Sequence, residues 1–330
     1  MQNVERTSQG LKARQPGGLA QLSFDAELRL SRASHGSPFP LNLVAKVARR
    51  VVAPLARSFG SRRTVKCVVY GQSLQMPAEH PLPGILVVNP QYNRPLALTA
   101  QAIAAEHTPS SMLAAVDVGA NIGDTVAILE EALPGRFAYL CIEPEEEIAG
   151  LCTANHEANS RVVVTRAFVG EQEGAEVYLE DDGRANPTTR VAAHGVAMGT
   201  LRRLDSLALP FVESRNGLAL IKVDTEGFDF AVLRSGVELL RRYHPVLFFE
   251  WFPRLLQEDP LDGLRFLNSL GYEHMVFFTN RGDFYCAASG LQEDLWASLL
   301  LVTSRVETIP YFDVAAMVDR STRDALISRC

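Results

Sequence analysis

The sequence predicts an α/β fold, built on a mostly parallel sheet with helices on both faces. Three observations carry this. From residue 113 onward, short apolar runs alternate with amphipathic stretches. Strands this uniformly apolar are buried on both sides, as in parallel sheets covered by helices. The first run, AAVDVGANIGDTVAIL (114–129), breaks into Gly119, Ala120, Asn121 and Gly123 and then resumes at helical spacing. A strand, a glycine-containing turn and a helix form the ligand-binding corner of such sheets, placed where the strand order reverses. The third observation is a carboxylate at each of several strand ends: Asp117, Glu143, Asp224 and Glu250.

The elements follow in order. Residues 1–40 are rich in Gly, Ser, Pro, Gln and Arg and read as irregular. Residues 41–59, LNLVAKVARRVVAPLARSF, read as a basic amphipathic helix that Pro54 kinks or ends. TVKCVVYG and GILVVNP, within 64–90, read as two short strands around a Pro-rich turn. Residues 95–107 read as a helix. Strands follow at 113–118, 137–142, 161–168, 218–224 and 245–250, and helices at 123–132, 145–158, 228–241 and 261–270. An extra strand is expected at 175–180, closing strands at 272–279, 283–287 and 297–303, and a terminal helix at 313–328. The organisation expected is a basic extension at 1–63, a cap or substrate-side segment at 64–112, and a main domain at 113–330.

Charge is unevenly spread. Residues 1–66 hold 12 Lys and Arg against 3 Asp and Glu, and the remaining chain holds 20 against 35. An acidic main body argues against a broad nucleic-acid footprint, which needs clustered positive charge. The five cysteines are scattered with no CxxC pair, which suggests neither a disulfide framework nor a zinc site. A reduced, cytoplasmic setting is expected. No apolar run has membrane-spanning length, and the N-terminus has no signal-peptide stretch. The basic segment 41–63 is a candidate for peripheral contact with a membrane surface or an acidic partner, against the plainer role of packing on the main domain.

The turn after 118 is shaped for a polar ligand. Gly119 and Gly123 permit tight turns and close approach of a ligand to the backbone. The helix that follows aims its first N–H groups at the turn. A dinucleotide site wants GxGxxG, and Gly119-Ala-Asn-Ile-Gly123 lacks that pattern. Asp117 would repel a pyrophosphate and would welcome a cationic ammonium, such as that of S-adenosylmethionine. Glu143 comes 24 residues after Gly119, where an acid accepts hydrogen bonds from ribose hydroxyls. The plainer alternative is a strand–helix turn capped by Asp124 or Thr125.

Four stretches carry a resemblance: VDVGANIGDTV (116–126), CIEPEEE (141–147), TLRRLDSL (200–207) and LIKVDTEGFDFAVLRSG (220–236), followed by PVLFFEW (245–251). Together they resemble the FkbM-type family of class I S-adenosylmethionine-dependent methyltransferases. The first stretch is common to many methyltransferases, whereas the IKVDTEGFD block is much more specific to this family. AEHPLPGILVVNPQYNRPL (78–96) resembles an element of bacterial members thought to act on sugars. The resemblance covers about residues 65–290. It implies a Rossmann-like fold with a seven-stranded sheet. It implies a cofactor site of Asp117, Gly119, Ala120, Asn121, Gly123, Asp124, Thr125, Glu143 and Pro144, to which Tyr92 is added as a packing or hydrogen-bonding candidate. It implies O-methylation of a hydroxyl in a glycan or a secondary metabolite. RANPTTRVAAHGVAMG (184–199) matches no pattern of the family and is expected to form a substrate-side loop. Asp205 matches the family block, as a cap or as a cofactor-side contact.

Methyl transfer to oxygen needs alignment and removal of the hydroxyl proton. Alternation puts Lys222 and Asp224 on one strand face, and adjacent parallel strands bring Asp224, Glu226 and Glu250 to one rim. One of these is expected to be the general base, or together they hold a divalent cation such as magnesium that activates the hydroxyl. His80 is a second candidate base. Structural roles compete: Glu226 as a helix cap, and Lys222 as the neutraliser of a buried Asp224. His156 and His194 show no metal-ligand spacing. Three other functions stand beside the leading one. A non-catalytic S-adenosylmethionine-binding module would keep the same turn. An NAD-dependent oxidoreductase is disfavoured by the missing GxGxxG. Nucleic-acid amino-methylation is disfavoured because the turn after the fourth strand is Asp224-Thr225-Glu226-Gly227, not Asn/Asp-Pro-Pro-aromatic.

Overall fold

The computed structural model describes residues 21, 24–26, 28, 29, 64–179, 189, 190, 196–215, 217–256 and 258–330. The helix expected at 41–59 and the greater part of the loop at 184–199 lie outside the described residues. The chain divides into two units, Met1–Val68 with Ser73–Val88, and Val69–Gln72 with Asn89–Cys330.

The smaller unit holds all but the turn of a hairpin, β1 (Thr64–Val69) and β2 (Gln72–Pro77), followed by helix α1 (Leu82–Val88). The side-chain amide of Gln21 closes on the β1 backbone. Its Nε2 donates to Lys66 O at 2.9 Å, and Lys66 N–H donates to its Oε1 at 2.8 Å. The sequence reading put the second strand at GILVVNP, but that run is α1. Pro81 and Pro83 explain the difference: a fixed φ near −65° suits a first helical turn and gives a strand no donor. The strand role falls to Gln72–Pro77, where Leu74 and Met76 alternate inward.

The larger unit is built on an eight-stranded sheet of order β13-β12-β14-β11-β10-β3-β4-β5. Its strands are β3 (Leu113–Val118), β4 (Phe137–Ile142), β5 (Val162–Thr165), β10 (Leu220–Val223), β11 (Val246–Trp251), β12 (His274–Thr279), β13 (Phe284–Ser289) and β14 (Phe312–Met317). The pairs from β11 through β10, β3 and β4 to β5 are parallel, and those involving β14 and β13 are antiparallel. β3 and β10 are neighbours, and successive strands leave them in opposite directions, so the order reverses at the β3 turn as expected. The resemblance implied seven strands. The eighth is β13, the edge partner that hairpins back from β12. A second sheet, β6-β9-β7-β8, contains β6 (Phe168–Val169), β7 (Glu176–Leu179), β8 (Thr189–Arg190) and β9 (Val196–Arg202).

Four further elements differ from the sequence reading. The strand at 161–168 is two, β5 and β6, which lie in different sheets. Residues 297–303 belong to a helix (Glu293–Arg305) that buries Trp296, Leu299 and Thr303 at helical spacing and exposes Leu301. The expected terminal helix is β14 followed by a short helix (Arg320–Ile327). FDVAAM is buried along nearly its whole length, so its period carries no signal. The helix expected at 228–241 is two, Asp229–Ser235 and Val237–Tyr243, separated at Gly236. A Cβ at Gly236 would lie 2.8 Å from the Leu204 side chain. Asp205 accepts the N–H groups of Glu238 and Leu239 at 3.3 and 3.0 Å, so it is a cap for the second of these helices.

Alternation divides the core into two clusters, one on each face of the main sheet. Val116, Val118, Ile221, Val223, Leu247, Phe249 and Val314 pack with helices from 204 to 305. Leu113, Ala115, Leu220, Val246, Phe248 and Ala315 pack with α2 (Arg94–Ala105), α3 (Asp124–Ala132), Cys152 of α4 (Glu146–Asn155) and Leu326. By parity Asp117, Lys222, Asp224, Glu250 and Asp313 share the second face. On the first face, a Cβ at Gly263 would fall 2.2 Å from the Phe230 ring, which meets Phe249 edge-on at 5.4 Å. Gly263→Ala is expected to cost about 1–3 kcal/mol through overpacking, read as a lower melting temperature.

Candidate functional site

The site forms where β3 ends. Gly119 and Gly123 have φ of 79° and 86°, in the left-handed region. A Cβ at Gly119 would lie 2.0 Å from Asp224 O, and one at Gly123 would lie 2.4 Å from His156 Nε2. The sequence reading assigned these glycines to the approach of a ligand. The crowding atoms belong to the protein itself: the end of β10 and the ring of His156.

The backbone donors of the turn are also taken. Gly119 and Ala120 donate to Ile142 O at 2.9 and 3.1 Å, Gly123 donates to Ala120 O at 2.8 Å, and Asn121 donates to Glu143 Oε2 at 2.9 Å. Ala120 is wholly buried, with both its N–H and its carbonyl used, so it presents no polar group to a ligand. From behind, Asn155 Nδ2 donates to Ile122 O at 2.9 Å, and His156 Nε2 lies 2.8 Å from Gly123 O. Burial lowers the pKa of this imidazole. With Nε2 against a carbonyl, the neutral ring carries its proton there. The loop is thus held from both sides, with its N–H groups at 119, 120, 121 and 123 taken by the protein.

What the turn presents instead is carboxylate. Glu143 is held by two backbone donors, Asn121 on Oε2 and Glu145 on Oε1 at 3.0 Å. Each oxygen keeps a further acceptor site. Burial raises the pKa of Glu143, and these two hydrogen bonds oppose it. Asp117 is 2% exposed, and neither of its oxygens has a donor in hydrogen-bonding geometry. Burial raises its pKa, against the charge of Lys222 and the hydroxyl of Thr125. Lys222 Nζ lies 3.4 Å from Asp117 Oδ1 and 3.2 Å from Asp224 Oδ2. Burial lowers the pKa of this ammonium, but Asp117, Asp224 and Asp124 together carry it well above its ordinary value. Asp124 opens α3, and its pKa is pushed to about 6 by burial, with Lys222 opposing.

A row of carboxyl groups runs along the sheet rim from there. Val223 pairs with Phe249, which sets Asp224 one step on, beside Glu250. Glu250 pairs directly with Asp313 across β11 and β14. Asp224 is exposed, while Glu250 and Asp313 are half-buried. The pKa of Glu250 is pushed up to about 10 by burial and then by Asp224, Asp229, Asp313 and Glu226. That of Asp313 is pushed up to about 8 by burial and Asp224, with Lys222 opposing. Asp229 is wholly buried, and its pKa is pushed to about 7 by burial and then Asp224. Its Oδ2 accepts Thr225 Oγ1–H and Gly227 N–H at 3.2 and 3.3 Å, while Oδ1 has no hydrogen-bond partner. Burial, and after it Asp224 and Asp313, raise the pKa of the Tyr92 phenol. The Tyr92 carbonyl accepts Tyr70 O–H at 3.2 Å. The pKa of Tyr311 rises through burial, Asp313 and Glu250.

The remaining candidates fall as follows. Thr125 is buried at the start of α3, and Pro144 is half-buried beside Glu143. Glu226 is exposed at φ 49°. It caps no helix; Asp229 makes the turn's side-chain contacts instead. His80 lies in the smaller unit, where its Nδ1 accepts Leu82 N–H at 3.3 Å. The expectation of a divalent cation held by Asp224, Glu226 and Glu250 gains no support: among the described residues no group of three His, Cys, Asp or Glu is arranged as a metal site.

Residues 117–274 match the model of the methyltransferase FkbM domain. The chain carries an FkbM-type methyltransferase domain. No curated protein matches the sequence. Among solved structures, the chain is similar to a methyltransferase FkbM from Methylobacillus flagellatus KT, at 16% identity and a TM-score of 0.40, over 80% of this chain and 59% of that one. It is also similar to a precorrin-6y C5,15-methyltransferase from Geobacter metallireducens GS-15, at 13% identity and a TM-score of 0.33, over 66% and 85% of the two chains. A third is the N-terminal domain of human METTL16 in complex with SAH, at 13% identity and a TM-score of 0.40, over 76% and 77%.

The FkbM domain match includes Asp117, Glu143, Asp224, Asp229 and Glu250 and ends before Asp313. Sequence reasoning missed Asp313 because FDVAAM reads as helical. It passed over Asp229, although that residue stands in the quoted family block. No helix among the described residues is long and apolar enough to cross a membrane.

Two outcomes are expected of this FkbM domain. Gly119→Ala forces a Cβ into the Asp224 backbone at positive φ, so it should unfold or displace the β3 turn, seen as loss of S-adenosylhomocysteine binding with a lowered melting temperature. Asp313→Asn should be stabilising, with a sign set by linkage. The folded pKa is raised, so ionising Asp313 costs stability progressively as pH rises from about 4 towards about 8. The melting-temperature advantage of the variant should therefore grow across that window and level off above it.

Proposed function

We propose that this domain is an S-adenosylmethionine-dependent O-methyltransferase acting on a sugar or glycan hydroxyl. One observation carries the reading. The turn offers carboxylates while its N–H groups at 119, 120, 121 and 123 are consumed by the protein. A dinucleotide pyrophosphate needs free donors, whereas a cofactor bearing ammonium, sulfonium and ribose hydroxyls needs acceptors.

The residues present fit that cofactor. Glu143, positioned by Asn121 and Glu145, keeps acceptor capacity for two adjacent ribose hydroxyls. Asp117, whose Oδ1 lies 3.4 Å from Lys222 Nζ and whose oxygens make no hydrogen bond of good geometry, keeps acceptor capacity for a cationic group. Tyr92 stands by the same rim, under the field of Asp224 and Asp313. When bound, S-adenosylmethionine supplies an electrophilic methyl group on sulfur. The chain supplies the base. Asp224 is the exposed carboxylate nearest the turn, oriented by Lys222 Nζ at 3.2 Å, and its backbone abuts Gly119. It takes the hydroxyl proton as the oxygen attacks. Beside it Glu250, with its pKa pushed up to about 10, holds a proton, and Asp313, at about 8, is the group that exchanges one closest to neutral pH. Carboxyl and phenol groups at one rim suit a hydroxyl-rich acceptor, in line with the resemblance of residues 78–96 to an element of bacterial members thought to act on sugars.

Calorimetric titration with S-adenosylhomocysteine, with NAD as control, tests the cofactor assignment. Binding of the first and not the second is expected, and Glu143→Ala should weaken it by roughly tenfold or more, about 1.4 kcal/mol. Asp224→Asn should keep cofactor affinity and lower kcat by about 100-fold or more. Unchanged turnover in that variant would remove Asp224 as the base.

A further inference from the structure

The rim carries more carboxyl groups than proton removal requires. One carboxylate suffices to take one proton, yet Asp224, Glu250 and Asp313 stand side by side on three adjacent strands. Neighbouring strands are about 4.8 Å apart, and like charges directly opposite one another destabilise a sheet. Behind the row, Asp229 is wholly buried, its Oδ1 lacks a hydrogen-bond partner, and its charge reaches both Glu250 and Asp313. Glu226 adds its own field to Glu250. Among the described residues, Lys222 is the cation acting on the row, and it is already shared by Asp117 and Asp224. Two phenols, Tyr92 and Tyr311, stand in the same field, and the Tyr311 ring packs on Phe252 at 5.4 Å. Carboxyl groups with aromatic walls form a cation-binding surface.

We propose that the acceptor carries an ammonium group near its methylated hydroxyl, making the substrate class a hydroxylated amine such as an amino sugar, with the ammonium bound between Glu250, Asp313 and the two tyrosines. This rests on the methyltransferase reading and narrows it. In the free protein, burial and the charges of Asp224 and Asp229 keep Glu250 and Asp313 protonated at neutral pH. A bound ammonium favours their ionised forms, so binding releases protons to solvent. An anionic acceptor gains no such pairing and faces the exposed carboxylate of Asp224.

The test uses the full chain. S-adenosylhomocysteine is titrated first, and failure at this step removes the methyltransferase reading and this proposal with it. The complex is then titrated with glucosamine, glucose and glucuronate at about pH 6.5, where the amine is charged, in two buffers of different ionisation enthalpy. Glucosamine should bind roughly tenfold or more tighter than glucose, with net proton release, and glucuronate should bind weakest. Asp313→Asn and, separately, Glu250→Gln should reduce both the preference and the proton release. Absent glucosamine binding, equal binding of glucose, or a preference that survives in both variants overturns the proposal while leaving the cofactor assignment standing.

Discussion

The site depends on one buried cation. Lys222 lies on β10, directly beside Asp117 of β3 in the sheet register, and its ammonium reaches both Asp117 and Asp224. Burying ions is costly, and removing one partner from such a set leaves an uncompensated charge, typically at a cost of about 3–5 kcal/mol. Lys222 therefore binds together the two strands at which the sheet order reverses. It also connects the inside of the turn, where Asp117 is sealed, to the outside, where Asp224 is exposed. The contact of Gly119 with the Asp224 backbone completes the junction.

Around that junction the turn is held by three elements. β4 supplies Ile142 O and Glu143, α4 supplies Asn155 and His156, and β10 supplies the wall at Gly119. This differs from a phosphate-binding glycine loop, in which glycines bare the backbone for a ligand. Here the glycines let two neighbouring elements, β10 at Gly119 and α4 at Gly123, close in on the loop. The loop's N–H groups at 119, 120, 121 and 123 are spent internally, and the side chains set around it are acceptors and carboxylates. The same polarity continues along the rim through Glu250 to Asp313. Ionisable groups with raised pKa values, crowded at strand ends, are a cost in stability that structures tolerate mainly where chemistry requires it.

Much of this was legible in the chain. β3, β4 and β11 are apolar but for Asp117 and Glu250, and each is bounded by turn residues, so they read as buried strands. The strand–turn–helix at 113–132 follows from the change of period at Gly123. Asp117, Glu143 and Asp224 are visible because a charged residue in an apolar run demands a partner. Other elements were illegible for physical reasons. FDVAAM and ASLLLVT are nearly uniform in hydropathy, so neither period shows, and each took the other's structure: the first is a strand and the second part of a helix. The two prolines around Leu82 outweighed the β-branched run that follows.

The sequence alone determined the fold class, the turn at 119–123 and the strand ends that carry acids, because each rests on local pattern: period, composition and spacing along one segment. Only the tertiary structure decided what those groups do to one another. That Asp313 stands opposite Glu250, that Lys222 divides itself between Asp117 and Asp224, and that His156 fills the space at Gly123 are consequences of strand register and helix docking. Apart from Lys222 and Asp224, they join residues 33, 63 and 105 positions apart. Electrostatic energy depends on distance through space, and no local pattern encodes it.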